Sequence, residues 1–301
     1  MDILDRIKQL KKEKNAVVLA HYYQPMEIQE IADIVGDSLE LARKSKATDA
    51  DILVFCGVSF MGESAALLCP DKRVLVPAPD AGCYMADTVD PEDVLALKAA
   101  NPEATVVCYI NSTARVKAVC DICCTSSNAV KVVKSLDTRD IIFVPDKNLG
   151  KYVAAQFPEK RFIYHEGGCC KIHDRLSAEK VLEEKAKHPD ADVLVHPECN
   201  GEVCALADFL GSTAQILDYC KNSEKDEFII CTELGVTERM RSLMPSKRFY
   251  VPDTKQLYCD MMKKISLQML LDCMENETGE VVIDETLRKE ALKPIERMLS
   301  I

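Results

Sequence analysis

Hydrophobic residues fall along this chain in short β-branched runs separated by stretches of helical period, and the pattern occurs three times. The opening runs are 16–23 (Ala-Val-Val-Leu-Ala-His-Tyr-Tyr), 105–111 (Thr-Val-Val-Cys-Tyr-Ile-Asn) and 192–198 (Asp-Val-Leu-Val-His-Pro-Glu). Each is followed by an Asp-containing stretch that passes into a helical pattern, 33–38, 121–126 and 208–213. A second apolar run comes next, at 51–56, 140–144 and 227–231, and a third opens on Arg73, Arg161 or Arg248. Short apolar strands alternating with helices predict βαβαβ units with parallel sheets. The expected fold class is therefore α/β: three homologous three-layer α/β/α units arranged about a pseudo-threefold axis.

The repeat keeps its register. Asp33 stands 50 residues before Cys83, Asp121 stands 49 before Cys170, and Asp208 stands 51 before Cys259. Asp33, Asp121 and Asp208 are expected to be structural, bracing a loop or capping a helix. Unit boundaries are expected at 1–86, 87–174 and 175–259. A Met- and Leu-rich helix (261–274) and a terminal helix (285–299) have no counterpart in the repeat. With an N-terminal helix at 3–14 they are expected to pack on the first unit, so residues 260–301 are grouped with 1–86.

Composition narrows the function. The chain has 301 residues, 48% hydrophobic and 29% charged, with a formal net charge of −11. Those proportions are ordinary for a globular protein. A surplus of acidic groups argues against nucleic acid and against an anionic membrane surface, while leaving room for a small anionic substrate in a local pocket. The N-terminal stretch lacks a signal-like apolar run, and charges interrupt every candidate membrane span, so a cytoplasmic location is expected. Fifteen cysteines are many for a reducing compartment, and the odd total does not fit complete disulfide pairing. Most are expected to be small core residues, including the Cys120-x-x-Cys123 pair, and a few to be ligands.

Threefold repetition points to those few. Ligands in open α/β sheets collect beyond the carboxyl ends of the strands, so equivalent strand ends facing a common axis share one cavity. There His21 aligns with Tyr109 and His196, and Tyr23 with Asn111 and Glu198. Ser38, Ser126 and Thr213 align at the helix starts, where free N–H groups can seat a carboxylate or phosphate. Singly these are ordinary packed residues or caps. A hydrophobic core, however, has no reason to repeat polar residues at one place in three units. Cys83, Cys170 and Cys259 form the sharpest set. Three cysteines at one axis suit a [4Fe–4S] cluster with one iron left without a protein ligand, whereas structural zinc usually takes four protein ligands. Such an iron acts as a Lewis acid.

At the level of motifs the chain resembles the quinolinate synthase family over nearly its whole length. The resemblance rests on His21-Tyr-Tyr-Gln24, Gly36-Asp-Ser-Leu39, Cys56-Gly-Val-Ser-Phe-Met-Gly-Glu-Ser64, Ala81-Gly-Cys83 and Tyr109-Ile-Asn111. It continues through Cys124-Thr-Ser-Ser-Asn-Ala129, Val144-Pro-Asp146, Gly168-Cys-Cys170-Lys-Ile-His173, His196-Pro-Glu-Cys199 and Gly211-Ser-Thr213. It implies a [4Fe–4S] cluster on Cys83, Cys170 and Cys259. It also implies condensation of iminoaspartate with dihydroxyacetone phosphate to quinolinate, losing phosphate and two waters. Tyr23 and Glu198 are implied in proton transfer; His21, Tyr109, Asn111, His173 and His196 as substrate contacts; and Ser38, Ser126 and Thr213 as anchors for substrate carboxylate or phosphate. An iminoaspartate-producing oxidase or dehydrogenase is the implied transient partner.

Two positions depart from the family pattern. Glu166 stands where a Trp is common, and Ile265 replaces an amide after the third cysteine. Cys169 adjoins Cys170, and the spacing to His173 favours Cys170. Other readings of an open-iron site are a different iron–sulfur hydro-lyase or a non-enzymatic redox sensor.

Overall fold

The computed structural model describes residues 2–301. It contains three four-stranded sheets, every strand pair parallel. The first comprises β1 (Ala16–His21), β2 (Ile34–Gly36), β3 (Ile52–Cys56) and β4 (Arg73–Leu75). The second comprises β5 (Thr105–Tyr109), β6 (Ile122–Cys124), β7 (Asp140–Val144) and β8 (Arg161–Tyr164). In the third are β9 (Asp192–Val195), β10 (Phe209–Leu210), β11 (Glu227–Cys231) and β12 (Arg248–Tyr250). The orders β2-β1-β3-β4, β6-β5-β7-β8 and β10-β9-β11-β12 are one topology used three times. Helices flank each sheet, as parallel connections require. This is the α/β architecture of three repeated units.

Each unit holds one strand more than the three expected. β2, β6 and β10 are only two or three residues long, too short to show a period in sequence. The aspartates that recur in the three repeats explain why these strands form. Asp33 Oδ2 accepts the Val18 N–H at 2.8 Å while the Asp33 N–H donates to the Val18 carbonyl at 2.9 Å. Asp121 makes the same pair with Val106, and Asp208 with Val193. One carboxylate thus clips the start of the edge strand to the central strand in every unit, which is the structural role expected.

The central strands are buried on both faces, as their continuous apolar runs require. The N-terminal helix Ile3–Glu13 lies against β1 and the helix Leu267–Asn276, under a cluster containing Ile7, Leu10, Val18 and Leu270. That second helix starts later than expected, because Ser266 caps it by accepting the Met269 N–H at 3.2 Å. The terminal helix Glu285–Leu299 corrects the expected packing. It lies mainly against β6 and the helix Ala114–Lys117 of the second unit, and also touches the helix Ser59–Leu68. Its apolar stripe, Ala291, Ile295 and Met298, is fully buried there. Burial of Ile295 and Met298 contributes about 1.5–3 kcal/mol each.

Candidate active site

The carboxyl ends of β1, β5 and β9 converge on two joined cavities. One is lined by Cys83, Cys170 and Cys259 together with Tyr23, Asn111, His173 and Glu198. The other is lined by His21, Tyr23, Ser38, Tyr109, Asn111, Ser126, His196, Glu198 and Thr213. All thirteen residues singled out from the sequence therefore line one of the two spaces. Tyr23, Asn111, Glu198 and Met262 line both.

At the hydroxyl end the three units touch. Ser127 Oγ lies 2.9 Å from both Asp37 Oδ2 and Ser212 Oγ, linking residues of all three repeats. Asp37 and Ser212 are the actual caps of the helices Ser38–Ala47 and Thr213–Asn222. Ser38 and Thr213 occupy the first helical position. Their hydroxyls are thus not consumed as ordinary caps, and they line the cavity beside the helix N-termini. In the second unit the helix starts later, with Asn128 at the position before it and its Oδ1 accepting the Thr125 N–H at 2.7 Å, and Ser126 lies in that turn.

His21 and His196 are held alike. Nδ1 of His21 accepts the Tyr23 N–H at 3.1 Å, and Nδ1 of His196 accepts the Glu198 N–H at 3.3 Å. Burial pushes both imidazoles down to about 3, with Lys263 adding to the effect at His21. Both are neutral at ordinary pH, and a neutral ring accepting at Nδ1 carries its proton on Nε2. Burial, reinforced by Glu198, raises the Tyr23 and Tyr109 phenols well above their usual value, so both remain O–H donors. Burial would raise Glu198 too, but His196, His173 and Tyr109 outweigh it and hold its carboxyl below the usual range.

A chain of short contacts joins Tyr23 to Glu198. Tyr23 Oη lies 3.1 Å from Thr232 Oγ1, which lies 3.0 Å from His173 Nε2, and His173 Nδ1 lies 2.9 Å from Glu198 Oε2. With the His173 proton on Nδ1, every group in this chain donates once towards Glu198. Two buried polar atoms at the junction have no protein partner, Asn111 Oδ1 and Glu198 Oε1. Such atoms are costly unless a ligand or water meets them.

The thiol end differs in character. Val58, Phe60, Met85, Ile172, Met261 and Met262 surround the cysteines. Burial pushes the Cys83 thiol up to about 12 and the Cys259 thiol to about 11, and raises the Cys170 thiol well above its usual value. Thiols so desolvated stay protonated at neutral pH unless a cation such as a metal stabilises the thiolate. As a trio they do not close to within 4.8 Å; among the described residues the compact metal-capable group is Cys170, His173 and Glu198. Three cysteines with no fourth among the lining residues are a donor set that suits a cluster keeping one metal site free of a protein ligand. Of the adjacent pair, Cys170 lines the cavity and Cys169 does not.

The residues that follow these cysteines, Tyr84, Lys171 and Asp260, contact one another at the outer side of this cavity. Tyr84 Oη donates to Asp260 Oδ2 at 2.9 Å, and Lys171 Nζ sits 4.7 Å from the centre of the Tyr84 ring. Glu166 lies at the surface, paired with Lys147 at 2.8 Å, and does no work inside the cavity. Ile265 packs in the apolar cluster beneath the first sheet. Cys120 and Cys123 line neither cavity. Thr232, Glu233, Asp146 and Lys263 were missed from sequence. A Thr or an acid one or two positions past a strand reads as an ordinary turn residue, and only its repeated place after β7 and β11 could have marked Asp146 and Glu233.

Fold and site together define a three-unit α/β protein in which one cysteine of each repeat lines a central cavity that adjoins a second, polar one. The family model described as Quinolinate synthetase A protein matches residues 5–300. The chain is 50% identical over 297 residues to the quinolinate synthase of Clostridioides difficile strain 630, covering 99% of this chain and 97% of that one. It is 50% identical over 300 residues to the quinolinate synthase of Alkaliphilus metalliredigens, covering 100% and 98%. It is 47% identical over 299 residues to quinolinate synthase 2 of Methanosarcina acetivorans, covering 99% and 96%. The chain belongs to the quinolinate synthase family, enzymes of NAD biosynthesis. Among the described residues no helix is long and apolar enough to cross a membrane.

Proposed function

We propose that this chain condenses iminoaspartate with dihydroxyacetone phosphate to quinolinate, with loss of phosphate and two waters, and that Cys83, Cys170 and Cys259 hold a [4Fe–4S] cluster. The observation that carries the reading is the meeting of one cysteine from each repeat with Tyr23, Asn111 and Glu198 where the two cavities join. When bound, the cluster supplies a Lewis-acidic iron free of a protein ligand.

The chain's own residues divide the remaining work. Ser38, Ser126 and Thr213, with the adjacent helix N–H groups, seat the substrate carboxylates or phosphate. His21 and His196 offer neutral Nε2–H donors that orient oxygens without adding charge, and Tyr109 and Asn111 complete the polar wall. Tyr23 donates and Glu198 accepts protons during isomerisation and dehydration, with Thr232 and His173 as the path between them. His173 also lies 3.2 Å from Cys170 Sγ, so the ring couples the thiol end to the proton path. The apolar lining keeps water from the reacting centre.

An electron carrier or redox sensor is favoured by a fully ligated cluster, and no fourth cysteine lines either cavity among the described residues. A hydro-lyase of another hydroxy acid has no use for dihydroxyacetone phosphate. The proposal keeps the division into units 1–86, 87–174 and 175–259, with 260–301 wrapping two of them. It places the chain in the cytoplasm, where fifteen free thiols stay reduced, with an iminoaspartate-forming oxidase or dehydrogenase as transient partner. Anaerobically purified protein is expected to contain iron and sulfide and to form quinolinate from the two substrates. Full activity in a preparation without iron and sulfide overturns the reading.

A further inference from the structure

The three cysteine loops are fastened by one device, and it is incomplete in the first unit. In each repeat the first residue of the helix after the third-order strand donates its N–H to the carbonyl two residues before the cysteine. Ser59 donates to Ala81 at 2.8 Å, Lys147 to Gly168 at 2.6 Å, and Leu234 to Leu257 at 2.8 Å. The backbones approach so closely in the second unit that a Cβ on Gly168 would stand 1.9 Å from the Pro145 carbonyl oxygen, so only glycine fits there.

A second fastening comes from the helix cap. Asp146 Oδ1 accepts the Leu149 N–H at 2.6 Å as an N-cap, while Oδ2 accepts the Cys170 N–H at 3.0 Å. Glu233 Oε2 accepts the Gly235 N–H at 2.7 Å, while Oε1 accepts the Cys259 N–H at 3.2 Å. Both carboxylates are fully buried. Glu233 also pairs with Lys263 at 3.1 Å, whose ammonium donates to the Tyr23 carbonyl. These acids stand 24 and 26 residues before their cysteines. The equivalent position, 25 residues before Cys83, is Val58, the cap of the helix Ser59–Leu68, which offers no acceptor.

We infer that Asp146 and Glu233 are positioning residues for the second and third cysteines, each using its second carboxylate oxygen to set the direction of one ligand loop. Cys83 is set by the backbone contact alone. A carboxylate suits the task because its two oxygens point apart, one reaching the helix N–H and the other the cysteine N–H. Groups behind a metal ligand typically change metal affinity by about 10–100-fold. This inference rests on the cluster reading for its meaning, but not for its test.

The test uses Asp146→Ser, which keeps the cap and cannot span to Cys170, and Glu233→Gln, which keeps one acceptor oxygen. In the iron-free chain, alkylation of each cysteine is timed by peptide mass spectrometry. Asp146→Ser is expected to speed modification of Cys170 by about tenfold, with Cys83 and Cys259 within about twofold of wild type. Glu233→Gln is expected to do the same to Cys259 alone. In anaerobic loaded protein, both variants should lose iron to a chelator about tenfold faster than wild type. Wild-type rates in both variants, or equal acceleration at all three cysteines, overturn the positioning role. Loaded wild type without iron and sulfide instead overturns the cluster reading, and the alkylation pattern still decides the positioning one.

Discussion

The two joined cavities are built from the same three repeats and yet are opposite solvents. The thiol cavity presents three cysteines among Val58, Phe60, Met85, Ile172, Met261 and Met262. The hydroxyl cavity presents imidazoles, hydroxyls and helix N-termini. The difference follows from position in the unit. Residues after the central strands meet where helices begin and free N–H groups abound, whereas the cysteine loops follow the outer strands and are roofed by apolar side chains. A buried apolar site raises thiol pKa values, whereas a polar site holds charge by hydrogen bonds. On the proposed reading the metal falls on the first side and proton transfer at the seam, where Tyr23 and Glu198 line both cavities.

The sharpest way to break this contrast is to empty one side. Cys83→Ala, Cys170→Ala or Cys259→Ala is expected to remove the cluster and abolish activity, while Cys123→Ala and Cys231→Ala keep it; iron and sulfide analysis under argon distinguishes them. Equal iron in all five variants contradicts the choice of ligands. At the seam, Glu198→Gln and Tyr23→Phe are expected to lower kcat by about 10²–10⁴-fold with iron content unchanged. If iron falls in step with kcat, these residues belong to the metal site and not to proton transfer.

On the polar side, Ser38→Ala and Ser126→Ala should each raise KM by about 10–100-fold, since a hydrogen bond to a charged group contributes about 1.5–3 kcal/mol. Initial-rate kinetics read this, and an unchanged KM removes the hydroxyls from substrate binding. Thr232→Val should lower kcat by about tenfold, a modest share of the range for general acid–base groups, and leave KM alone. A rise in KM without a fall in kcat assigns Thr232 to binding.

The smallest effect is on stability. His21 faces Lys263, Glu198 and His196, while His196 faces Glu198 and His173. Both imidazoles are depressed to about 3 in the fold from an ordinary value of 6.5. The unfolded chain therefore binds protons that the folded chain refuses. Stability is intact above about pH 6.5 and falls as pH drops towards 3, by up to about 1.4 kcal/mol per pH unit for each histidine. Urea melts of His21→Gln and His196→Gln should show a shallower loss between pH 6.5 and 5 than wild type. Parallel pH profiles would mean the rings are not the groups resisting protonation.

Much of this was legible in the chain. Nine of twelve strands announced themselves as apolar runs, and the aspartates that brace them were recognisable by their repeated offset. The cysteines were separable from twelve others by the same register. The rest was hidden for definite reasons. β2, β6 and β10 are too short for a period, and form because Asp33, Asp121 and Asp208 clip them in place. Thr232 acquires meaning only beside Tyr23 and His173, which come from 209 and 59 residues away. Asp146 and Glu233 look like plain helix caps until their second oxygens are seen on the Cys170 and Cys259 N–H groups.

By itself, then, the order of residues determined a threefold α/β pattern and which side chains recur at its strand ends, because both depend on local period and spacing. Tertiary structure alone decided which of those residues share a wall, which ring carries its proton where, and which capping acid doubles as a brace. Those outcomes depend on burial and on contacts between repeats, and neither is written into any one stretch of chain. The terminal helix shows the same division: its existence was expected from the chain, but its seat against β6 and the helix Ala114–Lys117, and not on the first unit alone, is a tertiary outcome.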